Sequence, residues 1–387
     1  MEFKNKKILV ISPSKWGNIH ISKHHYSIEL AEMGNEVFYL EPALSSNERK
    51  TKIFQPIDSL PNLKVITVHM PRWYEMLRFK FRPVYNMIVP KIAKSVLRKL
   101  NRKIDVVWCF ETNLYSNLRV FKGNYTIYHP VDVAAYSFQS KIAATADIVF
   151  SISESIANAF RPYNKNVFFI NHGLSKDFAE VAKNTLKQLN EPSSPSSQNI
   201  AINSGFVGNL LRTDLNRAFI LAVVSKYPTI TFNIWGPDNV KISNIDGEDS
   251  KRTHEFILSL QNASNVILHG IKHGTELAEE LRKCDVLLLA LSNSIMYDGS
   301  NSHKIIEYLS TGKVIVSHYV STYAGTNLFE MANDDNVENL NNVFNKVVSN
   351  LEYYNSRKKQ IERIEFALKN TYSKHIEEIE KTISKPF

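Results

Sequence analysis

Short, β-branched apolar runs recur along this chain, separated by stretches long enough to hold a helix, and few folds accommodate that spacing. KKILVIS (residues 6–12), EVFYLEP (36–42), KVITVHM (64–70), DVVWCFE (105–111), YTIYHP (125–130) and DIVFSIS (147–153) each read as a parallel strand buried on both faces. SKHHYSIELAEMG reads as the first helix, with Ser22 as its N-cap and Gly34 just past its end. A long helical region runs to about Arg102, and NVFFINHG (166–173) closes the first half. Between residues 181 and 200 the pattern lapses into AKNTLKQLNEPSSPSSQN, where Pro192, Pro195 and several serines predict a linker or surface loop. The alternation then restarts with NIAINSGFVG, TFNIWGP, NVILHG, DVLLLAL and KVIVSHY. From about Leu340 only helix formers remain, expected to finish the second half and pack back towards the first.

The spacing therefore predicts an α/β protein of two Rossmann-like domains facing across a cleft. The first spans residues 1–185, a linker 186–199, the second domain 200–365, and a C-terminal helix 366–387 returns towards the first. A length of 387 residues suits two hydrophobic cores better than one.

Lysine and arginine outnumber aspartate and glutamate by 47 to 38, a net charge of +9 that favours a polyanionic partner or a phosphorylated substrate. Cys109 and Cys284 each sit inside an apolar run, so they read as buried, inert thiols in a reducing compartment. The N-terminal apolar stretch is too short for a signal peptide, and no run approaches the ~18 apolar residues of a membrane span. The expected location is the cytoplasm.

The segment SHKIIEYLSTGK (302–313) carries the most chemistry. Ser302 or Asn301 can cap a helix whose N-terminus attracts phosphate at the carboxyl edge of a sheet. Lys304 opposes the helix dipole there, which makes sense with a diphosphate in front of it. Glu307, one turn on, can accept from two ribose hydroxyls; the alternative is a surface Lys–Glu pair worth ~0.3 kcal/mol. GFVGN (205–209) reads as a turn after the first strand of the second domain, where Gly205 and Gly208 would let backbone amides approach a diphosphate beside Asn209. Arg212 can clamp phosphate through its planar fork or stand as a solvated loop charge.

The order GFVGN, NIWGP, NVILHG, DVLLLA and SHKIIEYLSTGK resembles the nucleotide-sugar half of GT-B glycosyltransferases. It is most similar to exopolysaccharide and teichuronic-acid-type transferases and to xanthan-type glucuronosyltransferases of bacteria. That resemblance implies a nucleotide diphosphate sugar as co-substrate and no other cofactor; with no Asp-x-Asp and no carboxylate or cysteine at ligand spacing from the clustered histidines, no metal is expected. It implies a donor site at Gly205, Gly208, Asn209, Arg212, Ser302, His303, Lys304 and Glu307, with Ile271 in the loop against the base. Retaining members of the large family carry a glutamate eight residues before the second one, where this chain has Gly299, which leaves inversion open.

In the first half the resemblance matches Asp132, in YTIYHPVDVAAYSF, to the general base of the glucuronosyltransferases; an Asp N-cap is the alternative. An attacking hydroxyl must lose its proton, so a carboxylate or an imidazole such as His129 is needed near it. Trp16, Asn18 and His20 resemble the acceptor-side loop, with His24 following on the helix.

Residues 72–103 interleave Arg78, Lys80, Arg82, Lys91, Lys94 and Arg98 with Trp73, Met76, Phe79 and Phe81, against Glu75 alone. Such a stretch fits an anionic bilayer surface. The expected partners are then a nucleotide sugar, a lipid-linked or saccharide acceptor in cell-surface polysaccharide synthesis, and the inner face of the cytoplasmic membrane, with no nucleic acid. A nucleotide-sugar epimerase or hydrolase and a non-enzymatic polyanion-binding protein are the alternatives.

Overall fold

The computed structural model describes residues 1–45, 51–71, 73–100, 103–131, 136–191, 201–239, 248–292 and 301–384. Its strands are β1 (Lys7–Ile11), β2 (Glu36–Leu40), β3 (Leu44–Ser45), β4 (Thr51–Phe54), β5 (Leu63–Met70), β6 (Val106–Cys109), β7 (Tyr125–Tyr128), β8 (Ile148–Ser151), β9 (Val167–Phe169), β10 (Asn203–Val207), β11 (Thr231–Trp235), β12 (Val266–Gly270), β13 (Val286–Leu289), β14 (Val314–Ser317) and β15 (Glu330–Met331). The helices are α1 (Ser22–Glu32), α2 (Trp73–Lys80), α3 (Arg82–Leu100), α4 (Tyr136–Thr145), α5 (Glu154–Phe160), α6 (Lys176–Asn190), α7 (Arg217–Lys226), α8 (Lys251–Gln261), α9 (Gly274–Leu281), α10 (His303–Ser310), α11 (Val337–Val348), α12 (Leu351–Tyr354), α13 (Arg357–Lys369) and α14 (Tyr372–Ser384). They divide into one compact unit of Met1–Asn171 with Tyr372–Phe387 and another of His172–Thr371.

The first unit is built on a sheet of order β3-β5-β2-β1-β6-β7-β8-β9, parallel except where β4 pairs antiparallel with β5. Strand pleating sends alternate residues to opposite layers. Leu9 and Ile11 pack with Val89, Ile92 and Val96 of α3, whereas Ile8 and Val10 pack with Tyr26 and Leu30 of α1 and Ile376 and Ile379 of α14. Tyr372 closes this second layer, with ring centroids 4.9 Å from Tyr26 and 5.1 Å from His25.

The second unit has the parallel order β12-β11-β10-β13-β14-β15. Phe206, Ile234, Leu288 and Val316 face helices α7, α8 and α11, while Val207, Trp235, Leu287 and Ile315 face α6, α9 and α10. The sequence order folds outward in one direction from β10 to β12, then in the other from β13 to β15. The reversal falls between β10 and β13, where an open parallel sheet leaves a crevice at its carboxyl edge.

Three expectations need correction. Ser22 is the first residue of α1 and Ile21 occupies the cap position. The lapse of strand pattern after Val181 is the body of α6, which runs to Asn190 and buries Phe178, Ala179 and Val181; its helix formers continue the chain where a linker was expected. Residues 172–185 accordingly belong to the second unit rather than to the first domain. Pro192, Pro195 and their serines lie outside the described residues. Among the described residues no helix is long and apolar enough to cross a membrane.

Candidate functional site

The reversal point of the second sheet is flanked by the turn after β10 and by the N-terminus of α10. Tyr308 anchors α10 to this edge: it is fully buried, and its hydroxyl accepts from the Val207 amide at 2.7 Å. Ser302 caps the helix, its side chain accepting from the Lys304 amide at 3.4 Å. Asn301, just before it, is fixed by His172, whose Nε2 lies 2.8 Å from the Asn301 carbonyl and therefore carries the proton. Ile305, Ile306 and Leu309 bury the inner face of α10, which leaves His303, Lys304 and Glu307 half-buried on the other.

Burial lowers the Lys304 ammonium pKa; Glu307 acts against that, and the nearby Arg212 charge adds to it. Burial likewise raises Glu307, opposed by Lys304. The His303 imidazole lies near Glu307, with Nε2 4.0 Å from Oε1. Lys304 and Arg212 thus bring two cations together at the dipole-positive end of a helix, an arrangement that suits a diphosphate.

Arg212 is held in place. Its Nε and Nη2 donate to Asp214 at 2.7 and 2.5 Å. Burial alone would raise Asp214, but the bond and charge of Arg212 outweigh it and hold that carboxyl low. The turn itself differs from expectation. Gly205 lies inside β10, where an added Cβ would meet Leu287 Cδ2 at 2.7 Å and Cys284 Sγ at 2.8 Å, so its role is packing. The amides of Gly208, Leu210, Leu211 and Arg212 donate to Trp235, Pro237, the Asn209 side chain and the Asn209 carbonyl. These amides are committed to the fold, which leaves Arg212, Lys304 and the helix end as the positive groups at this edge. Ile271 follows β12 two strands away, half-buried, and the ammonium of Lys272 beside it is paired with Glu276 at 2.8 Å.

His318, at the end of β14, is fully buried, and burial pushes its imidazole down to about 4 despite the Leu289 carbonyl and the Asp335 and Asp214 charges. An unfolded chain takes up this proton near pH 6.5 and the folded chain only near 4, so stability falls as pH drops through that window. By pH 5 the loss attributable to His318 is about 2 kcal/mol. Urea titrations at pH 7 and 5 are expected to show a smaller difference for His318→Asn than for the parent.

In the first unit the reversal falls between β1 and β6, and the loop after β1 carries Trp16, Asn18 and His20. The Trp16 amide donates to Glu41 at 2.6 Å, and its ring stands edge-on to Tyr39 at 4.9 Å; Asn18 is exposed. His20 stacks on His24 at 5.3 Å. His24 itself is a latch: it is fully buried, its Nδ1 accepts from the Ile21 amide at 3.1 Å, and its Nε2 meets the Lys15 carbonyl at 3.1 Å. His129 is 1% exposed, accepts from the Trp108 indole at 3.3 Å, and stacks on Phe110 at 4.9 Å. Both geometries fit packing rather than contact with a substrate. Asp132 and Gly299 lie outside the described residues.

Sequence reasoning passed over Glu111, a buried carboxyl just past β6. Its Oε1 accepts from the Asn113 amide at 2.6 Å and the Leu114 amide at 3.2 Å. Burial raises its pKa, and those bonds with the charges of Arg78 and Lys23 pull it only part of the way back. The signal was an acid directly after a fully apolar strand, as in VVWCFE.

No protein-family model and no curated protein sequence matches the chain. Solved structures do. A trehalose-6-phosphate protein from E. coli bound with UDP-2-fluoro glucose is 13% identical, with a TM-score of 0.65 over 98% of this chain and 99% of that one. Sucrose-phosphate synthase from Thermosynechococcus elongatus is also 13% identical, with a TM-score of 0.66 and the same coverage of both chains. An α,α-trehalose-phosphate synthase from Burkholderia xenovorans in complex with glucose-6-phosphate is 12% identical, with a TM-score of 0.66 over 98% of this chain and 100% of that one. At such identity the likeness shows the fold: the chain has the two-unit α/β architecture of GT-B proteins.

Proposed function

We propose that this GT-B chain is a glycosyltransferase that moves a sugar from a nucleoside diphosphate sugar to a hydroxyl of a saccharide or lipid-linked acceptor. The observation that carries the reading is the first turn of α10 at the reversal point, with half-buried Lys304 and Glu307 beside the fixed guanidinium of Arg212. Lys304 and Arg212 neutralise the diphosphate, Glu307 accepts from the ribose hydroxyls, and Ile271 lies on the side of the base. The transfer itself needs no metal in this reading, since Lys304, the helix dipole and the Asp214-paired guanidinium of Arg212 face the leaving group. The UDP-2-fluoro glucose of the E. coli neighbour and the glucose-6-phosphate of the B. xenovorans neighbour support a uridine nucleotide sugar and an anionic saccharide acceptor as first probes.

In the reaction the acceptor hydroxyl gives its proton to a carboxylate of the first unit as its oxygen bonds to the anomeric carbon. The bond from that carbon to the diphosphate breaks, and its electron pair leaves with the nucleotide. Asp132 is assigned as this base. Glu111 is the second candidate, on the observation that it is a buried carboxyl with a raised pKa at the reversal point of the first sheet. Asp132→Asn is expected to lower kcat about 10²–10⁴-fold with nucleotide affinity unchanged. If Asp132→Asn keeps full turnover and Glu111→Gln loses it, the base assignment moves to Glu111. Donor incubated without acceptor is expected to yield no epimer; an epimer would support the isomerase alternative.

The acceptor reading extends to cell-surface polysaccharide synthesis, with the chain attached peripherally to the cytoplasmic face of the membrane. The basic and aromatic residues of α2 and α3 support that extension.

A further inference from the structure

Helices α2 and α3 separate residues that the sequence shows only as a mixture. The inner face of α2 is fixed by Tyr74, whose ring lies 4.9 Å from that of Tyr85 on α3. Arg82 also turns inward: its guanidinium lies 3.8 Å from the Phe138 ring centroid and donates to the Asn113 carbonyl. The half-buried Arg78 adds its charge to the surroundings of Glu111. Arg82 thus leaves the outer surface on which the sequence placed it, while the guanidinium of Arg78 lies 4.3 Å from the Phe79 ring centroid at the edge of that surface.

What remains outside is ordered. Trp73, Met76 and Phe79 project from α2, Phe81 stands at the junction, and Val84 and Met87 continue along α3. Phe79 is 75% exposed, Phe81 60% and Met87 76%. Beyond Met87 the exposed positions of α3 are Pro90, Lys91, Lys94, Arg98 and Lys99. Residues 84, 87, 91, 94 and 98 follow steps of three and four, so they form one stripe along the helix. The stripe is graded: its first part is apolar, and its last part, about 16 Å further along the axis at Arg98, is cationic.

We infer that this graded stripe docks on an anionic lipid bilayer, with Phe79, Phe81 and Met87 in the acyl boundary and Lys91, Lys94 and Arg98 over the lipid phosphates. The inference deepens the membrane attachment proposed above and rests on it. A bilayer offers both environments, an apolar boundary next to a layer of phosphate. A nucleic acid would meet the cations but leave Met76, Val84 and Met87 in water. A second copy of the chain would set these cations, and a net charge of +9, against their like.

The test is flotation of the full chain with vesicles of phosphatidylcholine alone or mixed with phosphatidylglycerol. Capture is expected on the mixed vesicles, with a blue shift in fluorescence that is lost in Trp73→Phe. The triple variant Phe79→Ser, Phe81→Ser, Met87→Ser is expected to lose capture at least about tenfold. Lys91→Ser with Lys94→Ser and Arg98→Ser is expected to remove the preference for phosphatidylglycerol. Each variant is checked for its thermal shift with nucleoside diphosphate, which reports folding and the donor site independently. Three results overturn the inference: no capture of a parent chain that binds nucleotide, a Phe79/Phe81/Met87 variant captured like the parent, or a dimer in solution that the same variant dissociates.

Discussion

Lys304→Ala is expected to lower donor turnover about 10²–10³-fold, the usual loss when one group opposing the developing charge of a leaving group is removed. Lys304 stands in the first turn of α10, where a bare cation is disfavoured by the helix dipole, and burial depresses its ammonium further. Both effects make the free site less stable, and both would be relieved by a diphosphate. The same burial makes the charge count for more, because the effective dielectric around it is lower than in water. Affinity for nucleoside diphosphate is expected to fall as well, by about tenfold, since the leaving group already carries charge in the ground state. Lys304→Arg is expected to recover part of the affinity and less of the turnover, as a longer planar cation cannot occupy the same point.

Gly236→Ala is the substitution expected to damage the second unit most. Gly236 follows β11 with φ +140, a backbone that L side chains rarely adopt, and an added Cβ would fall 1.8 Å from the Gly208 carbonyl oxygen. The obstacle is backbone at the end of β10, tied down because Gly208 donates to the Trp235 carbonyl and Gly236 to the Gly270 carbonyl. Relief requires the ends of β10, β11 and β12 to move together, so a loss of about 4 kcal/mol or more is expected, with the thermal midpoint lower by roughly 10 °C. Gly325→Ala is the matched control: φ is +77, but nothing lies within 4 Å of its added Cβ. It is expected to lose only about 1 kcal/mol. Calorimetry of the two variants separates backbone strain from collision.

Many of the parallel strands were legible because they are continuous apolar runs, and a strand buried on both faces needs no other pattern, whereas β3, β4 and β15 have no such run and were not read. Lys7–Ile11 and Val286–Leu289 are such cases. The α10 helix was legible for a different reason, since Ser302 caps its start and Gly312 follows its end. Other features were hidden because their meaning is set by partners distant in sequence. Nothing in GFVGN reveals that Gly205 makes room for Cys284 and Leu287 or that the turn amides are spoken for by Trp235 and Pro237. Helix phase was the obstacle in α2 and α3: Arg78 and Lys80 are two residues apart, yet one is half-buried and the other exposed. His24 and His129 looked like chemistry because imidazole often is; burial among aromatic rings turns both into packing. α6 was missed because a helix rich in Lys, Asn and Gln has no apolar run, although its buried side holds Phe178 and Val181.

The central claim is that a nucleoside diphosphate sits at the first turn of α10 with its ribose on Glu307. Calorimetric titration of uridine, guanosine, adenosine, cytidine and thymidine diphosphates into the parent chain and Glu307→Ala tests it directly. One of the five is expected to bind the parent, and Glu307→Ala is expected to bind it at least about tenfold more weakly, as loss of hydrogen bonds to a charged group implies. Binding of none of them to the folded parent, or equal binding to parent and Glu307→Ala, would contradict it.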